Sequence, residues 1–153
     1  MINAPIERCF DLSRSIDLHL QSAYRTREKA ISGITSGLIS LGEEVEWQAR
    51  HFGFTFTMRV RITAFKPHNF FRDQQVYGPF KKFVHDHEFF HEGESTLMND
   101  AVEFESPLGF VGHVLNMFVI KRHLTNFLLA RNALIKAAAE SHLWQRYLLQ
   151  ANK

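Results

Sequence analysis

Residues 78–107, GPFKKFVHDHEFFHEGESTLMNDAVEFESP, carry the pattern that decides the fold. Phe83, His85, His87, Phe89 and His91 alternate with polar or charged residues, so one side of an extended strand carries all five. The segment after Glu92-Gly93-Glu94-Ser95 repeats the period: Thr96, Met98, Asp100, Val102 and Phe104 share a face. A tight turn at Gly93-Glu94 puts His91 opposite Thr96, Phe89 opposite Met98 and His87 opposite Asp100. A histidine–aspartate pair among aromatic neighbours is the kind of polar device that selective small-molecule pockets contain.

The same period runs upstream. Glu43 to His51 alternates Val45, Trp47 and Ala49 with charged and polar residues. Phe54 to Ala64 places Phe54, Phe56, Met58, Val60 and Ile62 on one side and threonines and arginines on the other, as in a half-buried antiparallel strand. Lys66-Pro67-His68-Asn69 reads as a turn and Phe70 to Tyr77 as a further strand, in which Phe70 and Phe71 compete to point inward. Arg27 to Gly33 is a candidate short strand. Asn3-Ala4-Pro5-Ile6-Glu7 predicts a helix start that closes at Asp11-Leu12-Ser13, with a second helical turn over Ser15 to Leu20. Past Pro107 the period becomes helical. From 108 to about 139, Phe110, Met117, Ile120, Leu124, Phe127, Leu128, Leu134, Ile135 and Ala138 form one stripe that includes Arg131. The order of short helices, a meander of about six strands and a long helix is an α+β pattern with helices on one face of an antiparallel sheet.

Bulk properties narrow the function. The 153 residues suffice for one domain with a real core. Fifteen Phe against two Trp and three Tyr favour a roomy apolar interior, because Phe brings area without a polar handle. A net charge of +2 from scattered basic residues gives no nucleic-acid footprint. The single Cys9 excludes an internal disulfide and fits a reducing compartment. No run of apolar residues is long enough to span a bilayer and no secretory leader pattern begins the chain, so a cytoplasmic protein without integral membrane association is expected.

The chain resembles the START-like helix-grip domains, or SRPBCC proteins, and within them the polyketide cyclase/dehydrase and lipid-transport group. The likeness is carried by INAPIERCFDL at 2–12, LGEEVEW at 41–47, GPFKKFVHDHEF at 78–89, STLMNDAVEFESPLG at 95–109 and Arg131 in LLARNAL. It implies a strongly curved sheet of about six strands wrapped around the long C-terminal helix, with a cavity for an apolar ligand between them. It also implies a ligand-binding domain over 1–140 and a helical extension or tail over 141–153. Such domains have a strand before the Ala-Pro dipeptide. Here only Met1-Ile2-Asn3 precede it, so either the start lies upstream or a sheet edge is exposed.

On this reading Phe56, Met58, Phe83, Phe89, Met98, Val102 and Phe118 form the apolar wall, and Tyr77, His87, Asp100 and Arg131 are the orienting polar groups. The ligand is a small hydrophobic molecule: a lipid, an acyl group, or an aromatic or polyketide-like compound. His87 oriented by Asp100 could act as a general base in a cyclase/dehydrase-type reaction. The same pair could equally satisfy itself and fix strand register, and the phenylalanines could simply fill a core around a partner-binding module. Arg131 could clamp a ligand carboxylate, pair with an interior carboxylate or snorkel outward. His85, His87 and His91 share a face and Asp100 could join them, but with no cysteine pair and no second histidine cluster the expectation is no metal and no cofactor.

Overall fold

A computed structural model of the chain describes residues 1–24, 27–51, 53–106 and 116–149. Two short helices, α1 (Ile6–Ser13) and α2 (Ile16–Ser22), precede six strands. These are β1 (Lys29–Gly33), β2 (Glu44–His51), β3 (Phe54–Lys66), β4 (Phe70–Tyr77), β5 (Lys82–Glu92) and β6 (Ser95–Glu105). A π-helical turn over Asn116–Ile120 leads into the long α3 (Lys121–Ala139), and α4 (Trp144–Leu148) follows. The sheet is an antiparallel meander in sequence order, β1 to β6.

The hairpin expected at 78–107 is present in register. His91 pairs with Thr96, Phe89 with Met98 and His87 with Asp100. Gly93 takes φ +66°, the left-handed backbone that the first central position of this two-residue turn requires. One side of the sheet is polar and carries a ladder of cross-strand ion pairs: Arg59 with Glu46, Arg61 with Glu44, Arg72 with Asp86 and Lys82 with Glu103. Each exposed pair is worth little, and together they mark that face as the solvated one.

The other face meets the helices. Ile6, Phe10 and Leu12 of α1 enter a core with Val60, Ile62, Phe71 and Phe89 of the sheet and with Ile135 and Ala138 of α3. Phe10 stands edge-on to Phe65, Phe71 and Phe89 at centroid distances of 5.2–5.6 Å. Ser15 caps α2 by accepting from the Leu18 N–H. The N-cap of α1 is Pro5, and just before it the Asn3 backbone N–H donates to Glu140 Oε1 at 2.7 Å. Ile2 exchanges two backbone hydrogen bonds with Thr96, at 2.9 and 2.8 Å, and so adds a stub of pairing to the β6 edge. In α4, Tyr147 belongs to the same core cluster, and Trp144 lies under the Arg8 guanidinium at 4.7 Å. The expected helical positions 108–115, Phe110 among them, lie outside the described residues. Among the described residues no helix is long and apolar enough to cross a membrane.

The backbone of α3 packs against α1 and α2 rather than against the strands. Space is thereby left between the helix and the sheet.

Candidate functional site

That space is a cavity of about 490 Å3, within the usual range for small-molecule sites of roughly 300–1,000 Å3. Its floor is the inner face of the sheet, with Trp47, Met58, Val60 and Phe83. Its roof is α3, through Leu124, Phe127 and Leu128, with Ile120 just before it. The period-two faces of β2, β3 and β5 and the helical stripe of α3 converge on one volume, as amphipathic elements must when they share an interior.

Asp73, His85 and Arg131 line one wall of the cavity, and a cluster extends behind them across three adjacent strands and α3; His123 and the His19–Glu28 pair, 2.8 Å apart, line it elsewhere. Asp73 of β4 and Asp100 of β6 flank β5, which carries both histidines. His85 Nε2 donates to Asp100 Oδ1 at 3.0 Å, and its Nδ1 is 3.6 Å from Asp73 Oδ2. His87 Nε2 is 3.0 Å from Asp73 Oδ2. Its Nδ1 is 2.6 Å from Asp100 Oδ1 but without a hydrogen-bonding alignment, so this is an electrostatic contact. From α3, Asn132 Nδ2 donates to Asp100 Oδ2 at 2.6 Å. Arg131 places Nη1 3.7 Å from Asp100 Oδ1 and donates through Nη2 to the Ser13 carbonyl. Arg131 Nη1 is buried and makes no hydrogen bond of its own.

The electrostatics follow from this packing. Burial is the largest influence on Asp100 and acts to raise its pKa, yet contacts with His85 and His87 and the Arg131 charge outweigh it and hold the carboxyl far below the usual range. Asp73 behaves alike: burial raises it, and His85, His87 and Arg131 bring it down. Asp73 lines the cavity with the accessible part of its side chain. His85 is pushed below an ordinary histidine first by burial and then by His87, against the pull of Asp73 and Asp100.

The residues read from sequence divide into three groups. Phe56, Met58, Phe83, Val102 and Arg131 line the cavity. His87, Phe89, Met98 and Asp100 face inward but sit behind the wall. His87 is stacked on Phe71 at 4.1 Å, Phe89 is packed on Phe10, and Met98 accepts from Ser13 Oγ. Tyr77 and Phe118 must be corrected: they are 66% and 71% exposed and lie away from the cavity. Tyr77 is at the end of β4, beyond the last residue that pairs with β5, and Phe118 is in the π-helical turn where the helical period is broken. His91, on the inward alternation, is exposed because β5 runs past the core there.

Sequence reading missed Trp47, Leu124, Phe127 and Leu128 among the apolar lining and, on the polar wall, Asp73. Its strand offered two facings, and the structure selects the one with Phe71 buried. Between two shifts of register in the β3–β4 pairing, one at Val76 of β4 and one at Thr63 of β3, Asp73 lies opposite the inward Ile62. The available signal was the period itself: with Phe71 inward, Asp73 follows.

No protein-family model and no curated protein matches the sequence. Solved structures match in shape. TTHA0849 from Thermus thermophilus superposes with a TM-score of 0.69 at 18% identity, over 90% of this chain and 94% of that one. Ginseng major latex-like protein 151 from Panax ginseng gives 0.65 at 16% identity, over 92% and 93%. CV1439 from Chromobacterium violaceum gives 0.65 at 12% identity, over 92% and 94%. The fold is helix-grip. Identities this low establish architecture alone, and one architecture carries many activities.

Proposed function

We propose that this helix-grip chain binds a small, largely apolar molecule that ends in an oxygen-bearing polar group. The observation that carries the reading is the cavity itself: largely apolar, with Asp73, His85 and Arg131 gathered on one wall. The Arg131 guanidinium on that wall suits a carboxylate or carbonyl oxygen by its charge. Burying roughly 300 Å2 of ligand at about 25 cal/mol per Å2 gives about 7.5 kcal/mol before ordering costs, so micromolar binding, which needs about 8 kcal/mol net, draws on the polar wall as well. A fatty acyl chain and an aromatic or polyketide-like compound both meet this description. Native mass spectrometry of the purified chain, followed by titration with a fluorescent fatty acid, tests it. A co-purifying apolar molecule or saturable one-to-one uptake supports binding. Clean protein without uptake sinks it and leaves a filled, partner-binding domain.

A second reading is favoured by Asp73 and His85 facing the same volume: acid–base chemistry of the cyclase/dehydrase type on the bound molecule. In that case His85, which reaches the cavity, replaces His87 as the proton-transfer group, with Asp100 behind it fixing the ring. Turnover on an aromatic polyketide panel that disappears in His85→Gln, with ligand uptake retained, distinguishes chemistry from carriage.

A further inference from the structure

The two histidines share more carboxylate contacts than they have protons to satisfy. His85 lies between Asp100 (Nε2, 3.0 Å) and Asp73 (Nδ1, 3.6 Å). His87 lies between Asp73 (Nε2, 3.0 Å) and Asp100 (Nδ1, 2.6 Å). A neutral imidazole has one N–H and one lone pair. Whichever tautomer His87 adopts, a lone pair therefore faces a carboxylate oxygen at 3.0 Å or less. An imidazolium at His87 alone would meet both carboxylates, whereas protonating both rings would place two buried cations side by side, their ring centroids 3.8 Å apart. In the neutral tautomer that carries the His87 proton on Nδ1, beside Asp100, the lone pairs of His85 Nδ1 and His87 Nε2 converge with Asp73 Oδ2. Those three atoms are electron-pair donors that one cation can share.

We infer that Asp73, His85 and His87 form a binding site for one divalent first-row transition-metal ion of the zinc type. One donor atom from each residue lies within 4.8 Å of the others. The distances of 3.0 and 3.6 Å from Asp73 Oδ2 to the two nitrogens bracket the separation of about 3.0–3.4 Å expected of neighbouring donors each about 2.1 Å from a common ion. Two imidazoles and a carboxylate suit zinc, cobalt(II) or iron(II) better than magnesium or calcium. Asp100 supplies the outer support such sites use, facing the far nitrogen of each ligating histidine. Arg131 and Asn132 hold Asp100 in turn, and the Arg131 charge balances Asp100 and leaves that of Asp73 for the ion. Because Asp73 and His85 line the cavity, the ion's remaining coordination position opens onto it. The metal-free expectation drawn from sequence counted His91, which is exposed, and left out Asp73.

The test is titration of the chelator-dialysed full chain with Zn2+ by calorimetry and with Co2+ by visible absorption, with no apolar ligand present. The outcome is thus independent of whether the cavity carries a small molecule. One ion per chain is expected, with the strong visible bands of a low-coordinate Co2+ site. Asp73→Asn and His85→Gln should lose saturable binding, Asp100→Asn should weaken it about 10–100-fold, and His91→Gln and His19→Gln should leave it unchanged. Should a site variant fail to fold, wild-type imidazole 15N resonances replace it: Zn2+ must move His85 Nδ1 and His87 Nε2. Absence of one-to-one uptake, uptake indifferent to Asp73→Asn and His85→Gln, or shifts confined to other histidines would overturn the site.

Discussion

Asn132 Nδ2 and Asp100 Oδ2 are 2.6 Å apart, a hydrogen bond that ties the long helix to the last strand at the back of the cavity. The same carboxylate accepts from His85 and stands near Arg131, so it serves as the hub that α3, β5 and β6 share. Replacing it with alanine leaves a buried guanidinium, an amide and an imidazole without their acceptor. The expected loss is about 3–5 kcal/mol, read from urea denaturation of Asp100→Ala. A loss below about 1 kcal/mol would show that the cluster does not depend on this hub.

Gly33 at the end of β1 has φ +76°, and a Cβ built there would come within 2.2 Å of the Glu44 carbonyl oxygen. Left-handed backbone costs an L residue about 1–2 kcal/mol, and the partner here is strand backbone that cannot rotate away. Gly33→Ala should therefore destabilise by at least about 2 kcal/mol, a fall of about 4–8 °C in Tm for a domain of this size. An unchanged melting curve would mean that β1 and β2 are not held this close.

Burial raises the Cys9 thiol above its ordinary value. A raised folded pKa means that the unfolded chain loses its proton first as pH climbs. The contribution of Cys9 is thus fully present below about pH 9 and lost above it. Denaturation midpoints should fall more steeply between about pH 8 and 10 in the wild type than in Cys9→Ala. Iodoacetamide at about pH 8 should leave the folded thiol unmodified; rapid alkylation would contradict the burial.

Trp47 lines the cavity, whereas Trp144 lies outside it against Arg8. Fluorescence of Trp47 in a Trp144→Phe background should therefore respond to an apolar ligand. Val102→Trp, which fills the cavity from β6, should weaken uptake at least tenfold with folding intact. Tyr77→Ser and Phe118→Ser, both at exposed positions, should leave affinity within about twofold. Equal losses in all three variants would place the ligand elsewhere.

The strand periods of 43–51, 54–64 and 83–104 were legible because a strand must alternate its faces, and a buried face must be apolar. The β5–β6 register followed from the two-residue turn at Gly93-Glu94, including the placement of His87 opposite Asp100. The polar wall was less legible. Arg131 was found and reaches the cavity, whereas His87 and Asp100 were found but stand behind it, and His85 and Asp73 face the hollow in their place.

By itself, then, the sequence determined the order of elements, the hairpin register and the apolar stripe of the long helix, all of which follow from backbone periods acting over a few residues. Only the tertiary structure decided which polar side chains meet the hollow and which stand behind its wall. Those outcomes depend on the register shifts between β3 and β4, and on Phe71 stacking over His87. Such contacts between residues distant in sequence leave no local period to read.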